Sequence, residues 1–512
     1  VTAAALAHVN RLPVLFLPGD VYASRRPDPV LQQIEDFGDA TISANDCFRP
    51  VSRYFDRITR PEQILDALPR ALSIMTDPAT CGPVTLSLCQ DVQAEAFDYP
   101  EEFFAPRTWR PRRLRPDRDE FHDLVEAIKA SRAPLIVAGG GVLYSGAEEA
   151  LSNLLLATGL PAAETQAGKG SLPWDHPHAL GSIGVTGTSA ANAAAEAADL
   201  IIAVGSRLQD FTTGSRTLFS GKRLFQINVA PHDLGKHGAV PVLGDARTVL
   251  EELSEALCDW RVQDAWRRTC AQGVDEWNAA WERATAPGDS LPSDGQVIGA
   301  VWRQAEENAV VVCAAGGLPG ELHKLWRTRR PGGYHVEYGF SCMGYEVAGG
   351  LGVKMAEPER DVIVMVGDGS YLMLNSELAT SVMMGAKLTV VLLDNRGFGC
   401  INRLQQATGG RPFNNLLKDV RKEAESDIDF VGHARALGAE AEKVAGLAEL
   451  EQALGRAAAS ARSYVVVIDT DPSITTEAGG WWWDVAIPEV SSRTEVQTAR
   501  RAYEAKISGD GQ

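Results

Sequence analysis

Short apolar runs closed by glycine, proline or an acid recur along the chain, separated by stretches whose apolar residues return every three to four positions. The runs LPVLFLPGDV and GPVTLSLCQDV read as buried parallel strands, because a strand covered on both faces loses the polar alternation of a half-exposed one. Between them RPEQILDALPRALSIM has helical spacing. The pattern restarts near residue 119 with the helix FHDLVEAIKAS, the strand PLIVAGGG, the helix AEEALSNLLLAT and the strands LIIAVGS and LFQINVAP. Near residue 295 it restarts again: helix QVIGAVWRQAE, strands AVVVCAAGGLPG and DVIVMVGDG, helix NSELATSVMMG, strands LTVVLLDN and SYVVVIDTD. Such alternation predicts three consecutive α/β domains with mainly parallel sheets.

The breaks between the repeats set the expected bounds: 1–105, 119–284 and 295–490, with a C-terminal tail over 491–512. The first break, YPEEFFAPRTWRPRRLRPDRDEF, carries Pro100, Pro106, Pro111 and Pro116 and six arginines from Arg107 to Arg118. It reads as a solvated linker rather than a phosphate patch. TAPGDSLPSDG is the second. Gly139, Gly140 and Gly141 follow a strand but lack the spaced dinucleotide fingerprint, so they are expected to be a structural turn. Trp260, Trp266, Trp277 and Trp281 are expected to pack in a helical region. At the start, Ala3, Ala4, Ala5, Leu6, Ala7 and Val9 read as a helix without a capping box. The first domain is therefore expected to be incomplete.

Composition narrows the function classes. A formal charge of −18 over 512 residues argues against a nucleic-acid or anionic-membrane binder. No apolar run approaches the roughly 18 to 20 residues of a membrane helix, and the N-terminus lacks a secretory pattern. The eight cysteines form no C-x-x-C pair, so reduced thiols and a cytoplasmic protein are expected.

The third repeat carries the clearest chemistry. The strand over 361–366, the Gly367-Asp368-Gly369 turn, a crossover helix expected over 372–384 and the strand over 388–393 make one βαβ unit. A right-handed crossover brings Asp368 and Asn395 to the same carboxyl edge of the sheet although they lie 27 positions apart. A carboxylate and an amide oxygen are hard donors that suit Mg²⁺, with the Gly397 carbonyl as a third protein ligand and room left for diphosphate oxygens. Gly369 and Ser370 open a helix whose N–H groups favour a phosphate. The unit reads as a Mg²⁺-diphosphate site.

This pairing, GDGS followed by DN, resembles the signature of thiamine-diphosphate-dependent enzymes, and the resemblance covers nearly the whole chain. It implies a pyrimidine-binding, a central and a diphosphate-binding domain in that order. It implies thiamine diphosphate and Mg²⁺ as cofactors, with Asp368, Asn395 and Gly397 as metal ligands and Asp394 in place of a more usual asparagine. Met343 corresponds to the apolar residue that wedges between the cofactor's two rings. Gly316, Gly317 and Leu318, in AAGGLPG, match the loop that offers amides to the diphosphate, and Gly367, Gly369 and Ser370 complete the cradle. Shared cofactor sites in the family imply a homodimer or homotetramer.

Three strings, FSCMGYEVAGGLGVKMAEP, GDGSYLMLNSELATSVMMGAKLTVVLLDNRGFGCINRLQQATGG and EAGGWWWDVAIPEVS, are similar to those of the ring-opening hydrolases of trihydroxycyclohexane-1,2-dione. The implied substrate is a small polyhydroxylated cyclic diketone, cleaved to 5-deoxyglucuronate in inositol catabolism. Its hydroxyls would need hydrogen-bond partners, for which Gln32, Gln33, Cys400, Asn402, Gln405 and Gln406 are candidates. The family's activating glutamate precedes the segment that resembles VTAAALAHVNRLPVLFLPGD, so it is not expected within these residues. Two alternatives remain at this level, an acetohydroxyacid synthase-like carboligase and a non-catalytic cofactor-binding relative.

Overall fold

The computed structural model describes residues 1–288, 290–424 and 427–508. Contacts divide the chain into two compact units: Val1–Leu114 with Val229–Pro231 and Gly339–Cys342, and Arg115–Asn228 with His232–Tyr338 and Met343–Gln512.

The first unit is built on the strand Val84–Cys89, which pairs in parallel with Leu15–Phe16, Gly19–Asp20 and Tyr54–Ile58. The apolar run expected to be one strand is thus two short ones, interrupted at Leu17 and Pro18, the latter without an N–H for a ladder. Tyr54–Ile58 was not legible as a strand, because Asp56 and Arg57 interrupt its apolar pattern. The helix Ile64–Thr76 buries Ala67 and Ala71 against Ile58, Val84 and Leu86. Arg57 organises the polar side of this unit: Nε donates to Asp20 Oδ2 at 2.6 Å and Nη2 to Asp46 Oδ2 at 2.7 Å. Ser87 also donates to Asp20, at 2.5 Å.

The second unit holds two six-stranded sheets, parallel throughout. One has the order Val240–Leu243, Arg223–Asn228, Leu200–Val204, Pro134–Ala138, Ala162–Glu164, Ala179–Ser182. Gly139 and Gly141 are structural, as expected: a Cβ on either would stand 2.5 or 2.6 Å from the backbone of Gly205, so two strand-end turns pack main chain on main chain. Trp266, Trp277 and Trp281 are buried along the helix Asp264–Thr285. The other sheet has the order Tyr334–Val336, Val310–Cys313, Val362–Gly367, Thr389–Asp394, Tyr464–Asp469, Glu440–Val444. Its β-branched strands are buried on both faces. Val311, Cys313 and Met365 join Leu318, Leu322 and Leu325 on one side, and Val310, Val312 and Val364 join Val347 and Leu351 on the other.

The tryptophan-rich string near the C-terminus spans the second unit. Trp481 Nε1 donates to Thr217 Oγ1 at 2.8 Å and Trp483 Nε1 to Asp210 Oδ2 at 3.0 Å, while Trp481 N–H reaches the Val185 carbonyl at 3.0 Å. The expected tail carries the helix Thr494–Ser508; residues 509–512 of that tail lie outside the described residues. Among the described residues no helix is long and apolar enough to cross a membrane, and all eight cysteines are free thiols.

Candidate functional site

From Val310–Cys313 the chain first pairs Tyr334–Val336 on one side, then returns to pair Val362–Gly367 on the other. At such a reversal the loops leaving two adjacent strands diverge, and a crevice opens at the carboxyl edge. The segments that the sequence singled out leave four neighbouring strands at that edge: residues 314–318 after Val310–Cys313, Met343 after Tyr334–Val336, residues 367–370 after Val362–Gly367, and residues 395–397 after Thr389–Asp394. Gly367 is in register with Leu393, which sets the Asp368 and Asn395 turns side by side.

Asp368 is 5% exposed. Its Oδ2 accepts the Gly397 N–H at 2.9 Å, and the amides of Gly369 and Asn395 also face the carboxyl. Its Oδ1, however, is buried without a hydrogen-bond partner, and so is the Oδ1 of Asn395. No cation of the described residues forms an ion pair with Asp368. Burial, then the nearby Asp394 carboxyl, pushes the Asp368 carboxyl up to about 7. An unneutralised buried carboxyl with one orphaned oxygen, and a second orphaned oxygen on the amide of Asn395, are what a hard cation would satisfy. Gly397 adopts φ +140° with Asn415 O only 2.4 Å from where a Cβ would lie, so glycine is required there. Its bridge to Leu416 is made through the carbonyls of Arg396 and Asn415, which leaves the Gly397 carbonyl outside that ladder.

The glycine turns leave space where an anion would sit. Gly316 has φ +92° and Gly367 an ordinary extended backbone, yet a Cβ on either would meet nothing within 4 Å. Gly369 differs, since a Cβ there would come within 2.7 Å of the Phe398 ring. Gly317 caps the helix Leu318–Leu325, in which Leu318 is buried. Met343 is half-buried immediately before Gly344, whose φ is +90°.

Several details depart from the sequence reading. The crossover helix expected over 372–384 is two helices, Asp368–Met373 and Glu377–Met384. Leu374 is extended (φ −155°) and Asn375 Nδ2 caps the Tyr371 carbonyl at 3.0 Å, which ends the first helix. The Ser370 hydroxyl is engaged by Glu346 at 2.8 Å, so only its backbone N–H remains for a phosphate. Of the polar candidates, Gln33 Oε1 accepts the Ala44 N–H at 3.1 Å, and Gln32 is exposed with φ +66°. Both belong to the first unit. Gln405 Oε1 accepts from Asn415 Nδ2 at 2.5 Å beside an open pocket of about 400 Å³ lined with Ile401, Leu404 and Phe413, and Gln406 is exposed. Asn402 is buried with its Oδ1 unpartnered, and the Cys400 Cβ lies 3.5 Å from where a Gly317 Cβ would be.

Two residues escaped the sequence reading. Arg403 Nη1 donates to the Pro472 carbonyl, while Nη2 stands 2.4 Å from where a Gly317 Cβ would be and finds no acceptor among the described residues. A guanidinium thus has one N–H edge against the Gly316-Gly317 turn. The other is Glu346, 2% exposed and hydrogen-bonded to Ser370. Both lie inside strings that carry the family resemblance, Glu346 in FSCMGYEVAGGLGVKMAEP and Arg403 in the string that begins at Gly367, but nothing in their spacing, Arg403 falling 8 positions after Asn395, assigns either a partner.

The family model of the thiamine pyrophosphate enzyme central domain matches residues 121–253, and that of the thiamine pyrophosphate enzyme C-terminal TPP binding domain matches residues 314–469. The latter range holds every candidate ligand of the third sheet. A curated 3D-(3,5/4)-trihydroxycyclohexane-1,2-dione hydrolase of Geobacillus thermodenitrificans (strain NG80-2) is 43% identical over 532 aligned residues, covering 98% of this chain and 83% of the relative. One of the same description from Bacillus cereus (strain AH820) is 42% identical over 542, covering 99% and 84%. The chain belongs to the thiamine pyrophosphate enzymes and, within them, to the family of 3D-(3,5/4)-trihydroxycyclohexane-1,2-dione hydrolases.

Proposed function

We propose that the protein is a thiamine-diphosphate- and Mg²⁺-dependent hydrolase that opens the ring of 3D-(3,5/4)-trihydroxycyclohexane-1,2-dione to 5-deoxyglucuronate, as a cytoplasmic homodimer or homotetramer. The supporting observation is the pair of buried, unpartnered oxygens, Asp368 Oδ1 and Asn395 Oδ1, at the carboxyl edge of the third sheet. With the Gly397 carbonyl they would hold Mg²⁺. The amides of Gly316, Gly317, Gly369 and Ser370 would face the diphosphate, with Gly367 and Leu318 bounding the cradle and Met343 against the cofactor's rings. Arg403 Nη2 would add a charged donor at the same turn. In this reading residues 1–105 are part of the pyrimidine domain, 119–284 the central domain, 295–490 the diphosphate domain and 491–512 a tail.

The cofactor supplies the capacity to break a C–C bond beside a carbonyl, and the protein supplies position and charge. In the net reaction the bond between the two carbonyl carbons breaks. Water gives its oxygen to one carbon, which becomes the carboxylate, and a hydrogen to the other, which becomes the aldehyde at the far end of the same open chain. Asn402, with its unpartnered Oδ1 and the Cys400 thiol two positions away, faces the requirements of a polyhydroxylated ring better than Gln33 or Gln405, whose carbonyl oxygens are already engaged.

The test is incubation of the protein with thiamine diphosphate and Mg²⁺ and either the cyclic dione or, in a parallel sample, pyruvate, followed by ¹H NMR of the products. Appearance of the open-chain deoxyhexuronic acid supports the reading. Turnover of pyruvate to acetolactate instead would point to the carboligase, and cofactor binding without either product to a non-catalytic relative.

A further inference from the structure

Glu346 is a buried carboxyl with no cationic partner among the described residues. It lies in the first turn of the helix Tyr345–Ala356 and is 2% exposed. An isolated carboxylate in such a place is costly unless donors surround it. The donors come from three different loops. Ser370 Oγ stands 2.8 Å from each carboxyl oxygen, the Gly344 N–H reaches Oε2 at 3.1 Å, and the Ala315 amide faces the same carboxyl. Ser370 Oγ also accepts the Gly344 N–H at 2.8 Å, closing the arrangement. Burial raises the Glu346 carboxyl, and these donors act against that rise.

Each loop tied in this way carries a candidate ligand of the site within one or two residues. Ala315 precedes Gly316 and Gly317, Gly344 follows Met343, and Ser370 follows Asp368 by two positions. The ladder fixes the ends of the three strands that these loops leave, Cys313 against Val336 and Val312 against Val364, but it does not reach Ala315, Gly344 and Ser370, which lie beyond the strands. A side chain that hydrogen-bonds all three does. An apolar residue at 346 could fill the volume but would leave the Gly344 and Ser370 donors without this partner.

We propose that Glu346 is a positioning residue that clamps the loops of Ala315, Gly344 and Ser370 in one register, so that the glycine amides, Met343 and Asp368 present to a single thiamine diphosphate. This rests on the reading of that edge as the cofactor site.

The test compares wild type, Glu346→Gln, Ser370→Ala, the double variant of these two and Asp368→Asn, all as full chains. Thiamine diphosphate affinity with Mg²⁺ is read by tryptophan fluorescence, and amide hydrogen exchange is read on the cofactor-free proteins. Glu346→Gln keeps the shape but turns one acceptor into a donor; it is expected to weaken the cofactor roughly 10- to 100-fold, as loss of an outer-shell partner does. Exchange should rise at Ala315 and Gly344 while Val362–Gly367 and Thr389–Asp394 stay protected. Ser370→Ala, which leaves the carboxyl in place, should weaken binding in the same direction by a smaller factor, and the double variant should lose less than the product of the two. Unchanged affinity in Glu346→Gln or in Ser370→Ala, or a rise in exchange spread over the whole sheet at unchanged affinity, overturns the proposal. If Asp368→Asn keeps wild-type affinity, the cofactor-site reading itself is what fails.

Discussion

Buried carboxylates in the first unit and in the third sheet meet opposite surroundings. Asp20 and Asp46 share the guanidinium of Arg57. Burial alone would raise Asp20, but hydrogen bonds from Ser43, Ser87 and Arg57 hold it below the usual carboxylate range. Asp46 is likewise held down to about 2, with the Ser43 amide, Arg49 and Arg57 outweighing burial. Asp368 has amide donors and no cation, and burial with the Asp394 charge pushes it up to about 7. The first arrangement is complete within the chain; the second, in the reading proposed above, would be completed by a cation from outside. A carboxylate paired by its own fold reads as structure, and one left unpaired at a strand-end crevice reads as a site.

The comparison breaks first if Arg57 proves dispensable. Arg57→Ala strips the cation from the fully buried Asp20 and leaves Asp46 with Arg49 alone, and should cost the first unit about 3 kcal/mol or more. Denaturant unfolding followed by proteolysis within residues 1–114 checks this, and an unshifted midpoint removes the structural half of the contrast. Arg403→Gln should weaken thiamine diphosphate roughly 10- to 100-fold, the worth of a charge-assisted hydrogen bond, while leaving the unfolding midpoint of the cofactor-free chain in place. Equal affinities in a fluorescence titration would take Arg403 out of the site.

Acid should sharpen the contrast, because the two carboxyl groups are shifted in opposite senses. Asp46 has a depressed folded value, so its contribution is full above the unfolded carboxyl value of about 4 and is lost as pH falls toward about 2. Asp368 has a raised folded value, so the cofactor-free chain is stabilised at this position as pH falls from about 7 toward the unfolded value. A Mg²⁺ ion bound by Asp368 as proposed would have to displace that proton, and apparent Mg²⁺ affinity should then drop about tenfold per pH unit below neutrality. A flat profile between pH 5 and 7, as probe conditions of roughly that range, would contradict the assignment. The smallest effect is that of Asp394→Asn, which removes the second cause of the Asp368 shift and should move the midpoint of that profile to lower pH.

The chain made its central strands easy to read and its edges hard. Val362–Gly367, Thr389–Asp394 and Tyr464–Asp469 are buried on both faces and stand out as continuous apolar runs. Glu440–Val444, Tyr334–Val336 and Val240–Leu243 are edge strands, where charged, aromatic or proline residues dilute the pattern. That the turns of Asp368 and Asn395 are neighbours was legible because they follow two consecutive strands, Val362–Gly367 and Thr389–Asp394, so their spacing along the chain maps onto their spacing across the sheet. Glu346 and Arg403 were not, since their partners at Ala315, Gly317, Ser370 and Pro472 come from other strands and only folding brings them together.

The most direct test of the central claim is a titration of wild type and Asp368→Asn with thiamine diphosphate in the presence of Mg²⁺ and again in excess EDTA. Saturable binding by wild type that requires Mg²⁺ and is lost in Asp368→Asn is the predicted result; equal binding by both proteins, or binding indifferent to the metal, would contradict it.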